Sequence, residues 1–285
     1  MLVIRRVEAG DVDGLEELYD RLDDDARYRR FFSGYRPKRP FFERMVTIRD
    51  RGGAGLVAAV GAAGGPEQLV AEAGYELLPN GDGELAITVD RSWRGWLGPY
   101  LLGSLCDVAA SRGVPNLEAD VLVTNRPMLA LLRARGYAAM PTRDWSSLRG
   151  LIGTSTKAPT WPGASGDRRV LVEGAGGHWH ATDDAEAAGL QVVCCPGPVG
   201  RQPGCPALAG EPCPLAAGAD AIVISHPPDD DDWRALRAAH RDLHPGVPVY
   251  VERSRNGHAT ADDDRDVPPC SDLELLALLG GVGPT

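Results

Sequence analysis

The chain has 285 residues, of which 43% are apolar and 25% are charged, proportions that predict a globular protein of about two domains. Acidic residues outnumber basic ones by 40 to 30, so the overall charge does not favour nucleic acid as a partner and favours a basic one, such as a lysine side chain or a polyamine. No run approaches the roughly 20 apolar residues of a membrane span. The start, Met1-Leu2-Val3, does not resemble a secretory signal, so we expect a cytoplasmic protein without a membrane partner.

The amino terminus predicts a strand followed by two helices. Residues 1–7 alternate as in a strand, and residues 9–22 form an amphipathic pattern that places Leu15, Leu18, Tyr19 and Leu22 on one helical face. Residues 27–32 read Arg-Tyr-Arg-Arg-Phe-Phe. The purely structural interpretation of this run is a short helix that buries its three aromatic side chains and leaves its arginines in solvent. Such an aromatic wedge would also shape a neighbouring cleft.

Residues 84–102 form the most informative stretch. A strand-like alternation that begins at Glu84 ends in the turn Arg94-Gly95-Trp96-Leu97-Gly98, and an apolar helix is predicted over about 100–112. A strand, a glycine turn and a helix start aim several backbone N–H groups and a positive helix dipole at one point, where a phosphate or pyrophosphate can bind. The glycines let the anion approach the backbone, and Arg94 adds a charged donor. A plain helix start is the alternative interpretation.

The next two elements are a strand and a capped helix. Residues 114–123 predict the strand, and residues 125–137 predict the helix. In this helix Asn125 is the expected N-cap, Pro127 lies in the first turn, and Gly136 is the expected stop.

This series of motifs resembles the GNAT superfamily of N-acetyltransferases over residues 1–150. The resemblance implies the GNAT fold, a mixed central β-sheet flanked by helices, with acetyl-CoA as co-substrate and no metal required for the chemistry. It implies that the glycine turn holds the pyrophosphate and that the strand near its end pairs with pantetheine. The turn is one residue shorter than the usual family form, because Trp96-Leu97 stands in place of an x-Gly-x segment. The residues implied to contact CoA are Val89, Arg94, Gly95, Trp96, Gly98, Pro99, Tyr100, Asn125 and Met128.

Amine acetylation also needs a base, because a free lysine has a pKa of about 10.4 and only its neutral form attacks. Two segments, residues 27–32 and the strand Gly83-Glu84-Leu85-Ala86-Ile87-Thr88-Val89, resemble Pat-type protein lysine acetyltransferases. This resemblance implies Glu84 as the general base and a protein lysine as the acceptor. Glu72 and Glu76 are alternative bases, and Glu84 as a merely solvated strand residue is the structural alternative.

A general acid is not predicted. Many family members carry a tyrosine at the position that is Leu132 in this chain, and neither Tyr100 nor Tyr137 matches it. Thiols have a pKa of about 8.5, so a CoA thiolate can leave without a dedicated acid.

A linker rich in proline, glycine and serine is predicted over 151–168, and a second domain over 169–285. Strands at 170–173, 190–195, 221–225 and 247–251 alternate with helices at 183–188, 230–243 and 272–279, which predicts a parallel sheet. The domain resembles a small doubly wound receiver. Ser225-His226 stands where a receiver carries its phosphoacceptor Asp, and Glu173-Gly174 stands where it carries an acidic pair. We therefore expect a degenerate receiver that serves regulation or assembly; a nucleotide loop at 174–177 is a weaker alternative.

Four cysteines of this domain leave three interpretations open. Cys194, Cys195, Cys205 and Cys213 lie within twenty residues but contain no Cys-x-x-Cys. They are structural thiols, a redox-responsive or disulfide-forming group, or part of a metal site that His178, His180 and His226 would complete. The run Asp229–Asp232 is expected to be a solvated helix start.

The leading hypothesis is an acetyl-CoA-dependent N-acetyltransferase with a carboxy-terminal regulatory domain, which acts by direct attack in a ternary complex. A catalytically silent acyl-CoA sensor is the main alternative. An acyltransferase acting on an acyl carrier or an aminoglycoside is a third. The sequence leaves the oligomeric state open, including a homo-oligomer.

Overall fold

A computed structural model describes residues 1–61, 65–140, 142, 146–156, 158–163, 167–174, 181–198, 204–225 and 231–252. The chain divides into two compact units. The first comprises Met1–Leu131, Asp144–Leu148 and Gly153–Thr156, and the second comprises Leu132–Arg143, Arg149–Ile152 and Lys157–Thr285. Among the described residues, none of the helices has both the length and the apolar character needed to cross a bilayer.

The first unit is a five-stranded mixed sheet with helices. Its order along the sheet is β1-β2-β3-β4-β5; the first four strands are antiparallel neighbours, and β4 and β5 are parallel. The strands are β1 (Leu2–Arg6), β2 (Ala54–Gly61), β3 (Glu67–Leu77), β4 (Gly83–Val89) and β5 (Asn116–Leu122). The helices are α1 (Val12–Asp20), α2 (Asp24–Phe31), α3 (Arg39–Val46), α4 (Leu97–Ser111) and α5 (Arg126–Ala134), whose last three residues fall in the second unit.

The core of the first unit confirms the amphipathic pattern of α1. Leu15 and Leu18 are fully buried, and Tyr19 and Leu22 are nearly so, together with apolar residues of α3, β2 and β3. This face removes apolar surface from water, which is the main favourable term for such a packed layer.

The prediction for residues 27–32 is partly wrong. Tyr28 is 50% exposed and Phe32 36%, whereas Arg27 is buried. The arginine is drawn inward because its guanidinium donates to the Leu22 carbonyl at 2.9 Å and to the Asp24 carboxylate at 2.8 Å. Phe32 also ends α2 with a φ of 56°, a left-handed conformation that is rare for a bulky residue.

The second unit contains a parallel sheet of four strands in the order β9-β8-β10-β11, with β6 antiparallel to β9 and to β7. This order is that of flavodoxin-like doubly wound sheets. The strands are β6 (Ala138–Met140), β7 (Ser147–Gly153, of which Arg149–Ile152 belong here), β8 (Arg169–Gly174), β9 (Gln191–Cys195), β10 (Ala221–Ser225) and β11 (Val249–Glu252). The helices are α6 (Thr182–Ala187), α7 (Pro214–Ala217) and α8 (Asp231–Leu243).

The segment expected to be a linker is structured at its start and in its middle. It begins with the last residues of β7, and it buries Ala158 and Trp161 in the core of the second unit. The Trp161 indole N–H donates to the Leu215 carbonyl at 2.7 Å, which fixes the segment against α7. The helix predicted at 272–279 lies outside the described residues.

Candidate active site

The site lies in the first unit, where two parallel strands separate. β4 pairs with β3 along its whole length, from Gly83 to Val89. It pairs with β5 at only two positions, Gly83 with Leu117 and Glu84 with Glu118. From Leu85 onward, the β5-facing edge of β4 has no strand partner, and both strands lie wholly in the described part of the chain. Such an edge can pair with another extended chain.

The turn after β4 leads directly into α4. Gly95 has a φ of +100°, a backbone conformation that favours glycine, and the helix begins at Leu97. The predicted start at Tyr100 is therefore three residues late. Pro99 is compatible with the first helical turn because its missing N–H would have no helical partner there. Gly98 thus lies within the first turn of α4 rather than before it.

The N–H groups at this helix start have no partner. No side chain caps α4, and within the described residues the N–H groups of positions 95–98 donate no hydrogen bond. They lie at the positive end of a 15-residue helix, which is a favourable place for an anion. A Cβ built on Gly98 would meet Leu131 at an ordinary 3.5 Å, so the fold itself would accept a small side chain there.

Arg94 connects the turn to the end of β4 and to the residue that caps α2. Its Nε donates to the Val89 carbonyl at 3.1 Å, and its Nη1 lies 3.6 Å from the Asp23 carboxylate. Asp23 caps α2 by accepting from the Ala26 N–H, and this hydrogen bond, with the nearby arginine charge, lowers the pKa of the Asp23 carboxyl. Two groups expected to contact CoA, the Arg94 guanidinium and the Val89 carbonyl, are thus hydrogen-bonded to each other.

Asn125 lies at the start of α5, directly after β5. Its Oδ1 accepts from the Met128 N–H at 3.4 Å, which confirms the predicted N-cap. Gly136 follows the end of α5 with a φ of +76°, which confirms the predicted stop. The cap fixes Asn125 and the half-buried Met128 at the carboxyl end of β5, the strand that separates from β4.

Glu84 is exposed and lies between two other carboxylates. The strand register places it opposite Glu76 on one side and Glu118 on the other, so all three share one face of the sheet. Glu76 pairs with two arginines, at 2.6 and 3.2 Å, which lowers its pKa. Glu118 accepts from the Asn80 amide at 3.0 Å. Among the described residues, no hydrogen bond or ion pair engages the carboxylate of Glu84.

Glu72, an alternative base, is only 3% exposed and belongs to a buried network. The Tyr19 hydroxyl donates to its Oε1 at 2.7 Å and lies 3.1 Å from the Thr88 hydroxyl. Burial raises the pKa of the Glu72 carboxyl, and the positive charge of Arg30 opposes that rise. The other alternative, Glu76, is held by its arginines. Of the three carboxylates, Glu84 is therefore the exposed one that no hydrogen bond or ion pair of the described residues engages.

Leu132, at the position where the resemblance would place a tyrosine, is completely buried and has no ionisable group that could act as an acid. Tyr100 is 68% exposed at the first turn of α4. The sequence did not predict that Tyr19, Thr88 and Arg30 form a network with Glu72. Local sequence patterns give no signal for contacts between residues that are 53 or 69 positions apart.

The four described cysteines of the second unit are buried. Cys194, Cys195, Cys205 and Cys213 form no disulfide with one another, so this structure does not contain the disulfide that was considered between Cys205 and Cys213. Burial raises the pKa of the Cys194 thiol to about 12. No group of metal-ligating side chains occurs among the described residues, a set that excludes His178, His180 and His226.

No protein-family model matches the chain. Among solved structures, the chain is similar to the GNAT domain of S. lividans PAT, with 23% identity and a TM-score of 0.48 over 53% of this chain and 89% of that one. It is similar to yncA from Salmonella typhimurium, solved with its cofactor acetyl-CoA, with 18% identity and a TM-score of 0.45 over 58% and 99% of the two chains. It is also similar to ribosomal-protein-alanine N-acetyltransferase from Brucella melitensis, with 23% identity and a TM-score of 0.41 over 53% of this chain and 96% of that one. At these values, the function has to be inferred from the chain's own residues.

Proposed function

We propose that this protein is an acetyl-CoA-dependent N-acetyltransferase of GNAT type that acetylates a primary amine, a protein lysine above all. One observation carries the proposal. Within the described residues, the edge of β4 that β5 leaves unpaired runs from the exposed Glu84, whose carboxylate has no hydrogen bond or ion pair, to a turn whose N–H groups at 95–98 donate no hydrogen bond. An acyl donor with a phosphate at one end and a thioester at the other fits such an edge, with its phosphate at the turn and its thioester towards the carboxylate.

In this proposal the pyrophosphate of acetyl-CoA accepts hydrogen bonds from the N–H groups of residues 95–98. Pantetheine lies along the open edge of β4, and Asn125 and Met128 face it from the start of α5. The backbone rather than Arg94 supplies the principal anion contacts, because the Arg94 Nε is bonded to the Val89 carbonyl. Pro99 and Tyr100 border the same turn.

The reaction is a direct transfer. Glu84 takes a proton from the ammonium of the acceptor, directly or through a water molecule, and the neutral nitrogen attacks the thioester carbonyl carbon. The new C–N bond forms a tetrahedral intermediate, whose collapse breaks the C–S bond and releases the CoA thiolate. The nitrogen loses its second proton as the amide forms, and the thiolate takes up one proton. The products are therefore an acetamide, the CoA thiol and one proton. A thiol pKa of about 8.5 lets the thiolate leave without an acid.

The exposed carboxylate of Glu84 supports a cationic acceptor. Its neighbours across the strands add less negative charge, because Glu76 pairs with two arginines and Glu118 is buried. An approaching ammonium therefore meets the charge of Glu84 before it is deprotonated. For the rest of the chain we propose a degenerate receiver-like regulatory domain over 169–285, next to an acetyltransferase domain over 1–150, in a cytoplasmic protein. The parallel strand order β9-β8-β10-β11 supports the doubly wound part of this proposal.

A non-catalytic acyl-CoA sensor is the second candidate. Two observations favour it. The buried Leu132 lies where the resemblance would place a tyrosine acid, and the Arg94 Nε already donates to the Val89 carbonyl with which pantetheine would pair. Such a protein would bind acetyl-CoA through the same turn but would not release CoA in the presence of amines.

The test combines calorimetry with an assay for free CoA. Wild type is compared with Gly98→Glu, which adds a negative charge to the first turn of α4, and with Gly103→Glu, a control that adds the same charge further along this helix, where a Cβ meets nothing within 4 Å. We expect acetyl-CoA binding in wild type and in the control, loss of binding in Gly98→Glu, and CoA release with lysine-containing proteins. Binding without release would support the sensor. An absence of binding by wild type would refute both candidates.

A further inference from the structure

Three aromatic rings surround the turn that carries the unpaired N–H groups. The centroid of Trp96 lies 5.7 Å from that of Trp93 and 6.3 Å from that of Tyr100, with interplanar angles of 54° and 75°. Because both neighbours are tilted, neither covers a face of the Trp96 indole in parallel. Trp96 is 47% exposed and Tyr100 is 68% exposed, so the cluster presents open aromatic surface to solvent.

Folding does not account for a tryptophan at this position. Trp96 is the N-cap residue of α4, where Ser, Thr, Asp or Asn would accept a hydrogen bond from the helix start. An indole has no acceptor, so it leaves these N–H groups unpaired and also leaves its own apolar surface in water. A position that breaks two local rules at once is expected to be functional or strained, and the exposed rings around Trp96 favour a functional role.

We infer that the Trp96 indole, supported by Trp93 and Tyr100, stacks on the adenine base of acetyl-CoA. This inference rests on the proposed function. The base of a dinucleotide-like cofactor is joined to the pyrophosphate through one ribose, so a pyrophosphate bound at 95–98 brings the adenine next to the residue at the centre of that turn. A stacked base gains binding energy from its π-face without a hydrogen bond.

The chemistry of the turn makes such a contact useful. Backbone N–H groups hold any phosphate and give no preference for a nucleotide. The Arg94 guanidinium is bonded to the Val89 carbonyl and lies near Asp23, so it is not centred on the turn. The aromatic cluster is therefore the feature at this turn that can recognise the adenosine half of the cofactor.

The experiment compares ligands that contain or lack the base. Acetyl-CoA, acetyl-4′-phosphopantetheine and adenosine 3′,5′-bisphosphate are titrated into wild type, Trp96→Ala, Trp96→Phe and Leu208→Ala, the last a control that removes an exposed apolar side chain of the second unit. Thermal unfolding of each variant checks that it is folded, and the oligomeric state is measured in parallel.

We expect Trp96→Ala to weaken acetyl-CoA binding about 5- to 150-fold, the range that stacking of one base on one aromatic ring gives. The same substitution should leave acetyl-4′-phosphopantetheine binding within about twofold, and Trp96→Phe should restore part of the loss. The Leu208→Ala control should match wild type for all three ligands.

Equal weakening of both acetylated ligands, or no weakening of either, would overturn the inference. A changed oligomeric state in Trp96→Ala with unchanged ligand binding would also overturn it and would show a second copy as the occupant of the cluster. If wild type binds adenosine 3′,5′-bisphosphate in a Trp96-dependent way but does not bind acetyl-CoA, the acetyltransferase proposal fails while base stacking stands. If wild type binds none of the three, both fail.

Discussion

Replacing Tyr19 by phenylalanine removes a single hydroxyl from the buried network of the first unit. That hydroxyl donates to the Glu72 carboxylate at 2.7 Å and lies 3.1 Å from the Thr88 hydroxyl. The ring itself contacts Phe31, Phe41 and Phe42 at centroid distances of 5.4–5.9 Å, and phenylalanine keeps these contacts. The substitution therefore isolates the polar part of the network.

The expected cost is about 1.5–3 kcal/mol of unfolding free energy, the range for a hydrogen bond to a charged group. The upper half of that range is favoured here. Glu72 is 3% exposed, so water cannot replace the lost donor, and a buried carboxylate keeps its desolvation penalty. Thr88 also loses a neighbour.

The free energy is measured by urea unfolding at pH 7, followed by circular dichroism. Tyr35→Phe is the matched control, because Tyr35 is 50% exposed and its hydroxyl lies at the surface; its effect should stay within about 0.5 kcal/mol. If Tyr19→Phe changed the free energy of unfolding by no more than the control, the network would not be a source of stability.

Two further substitutions test other parts of the fold. Burial raises the pKa of Asp82 to about 6, so the folded state binds this proton more tightly than the unfolded state. The resulting stabilisation of the fold is complete below about pH 4 and is lost as the pH rises through 6. Asp82→Asn does not titrate, so its free energy of unfolding in urea should rise by about 1–3 kcal/mol relative to that of wild type between pH 4 and pH 7.5, and pH profiles that run parallel for the two proteins would contradict this. Gly197→Ala should cost more than about 2 kcal/mol, because Gly197 has a φ of +73° and its Cβ would overlap the Trp233 ring. Gly210→Ala, at a φ of +74° but with nothing within 4 Å of its Cβ, separates backbone strain from overlap in the same thermal or urea assay, and equal costs for the two would refute the steric part.

Features set by neighbouring residues were predictable from the sequence. Asn125 and Gly136 bound α5 because capping and left-handed stops depend on local chemistry. The alternating strands and helices of the second domain were visible for the same reason, since periodicity is local. The start of α4 was predicted three residues late; the helix begins at Leu97 because Gly98 and Pro99 both fit its first turn.

Features set by long-range contacts were not predictable. The sequence favoured Glu84 over Glu72 as the base only through the family resemblance; that Glu72 is buried under Tyr19 and Glu84 is exposed follows from the fold. Tyr28 was expected to be buried and Arg27 to be exposed, but the structure shows the reverse, because the Arg27 guanidinium donates to a backbone carbonyl just after α1. Trp161 lies in a glycine- and proline-rich segment that reads as a linker, and only its contact with α7 makes it part of a core.

The central claim is that Glu84 removes the proton from the acceptor amine. The most direct measurement is kcat/KM for acetyl transfer to a lysine acceptor in wild type, Glu84→Gln and Glu17→Gln, a control that neutralises an exposed carboxylate on α1. Acetyl-CoA affinity is measured on the same samples.

We predict that Glu84→Gln lowers kcat/KM about 10²- to 10⁴-fold, the range for loss of a general base, with acetyl-CoA affinity unchanged and the deficit narrowing as the pH approaches the pKa of the amine. The Glu17→Gln control should match wild type. Activity of Glu84→Gln equal to that of wild type near neutral pH would contradict the assignment.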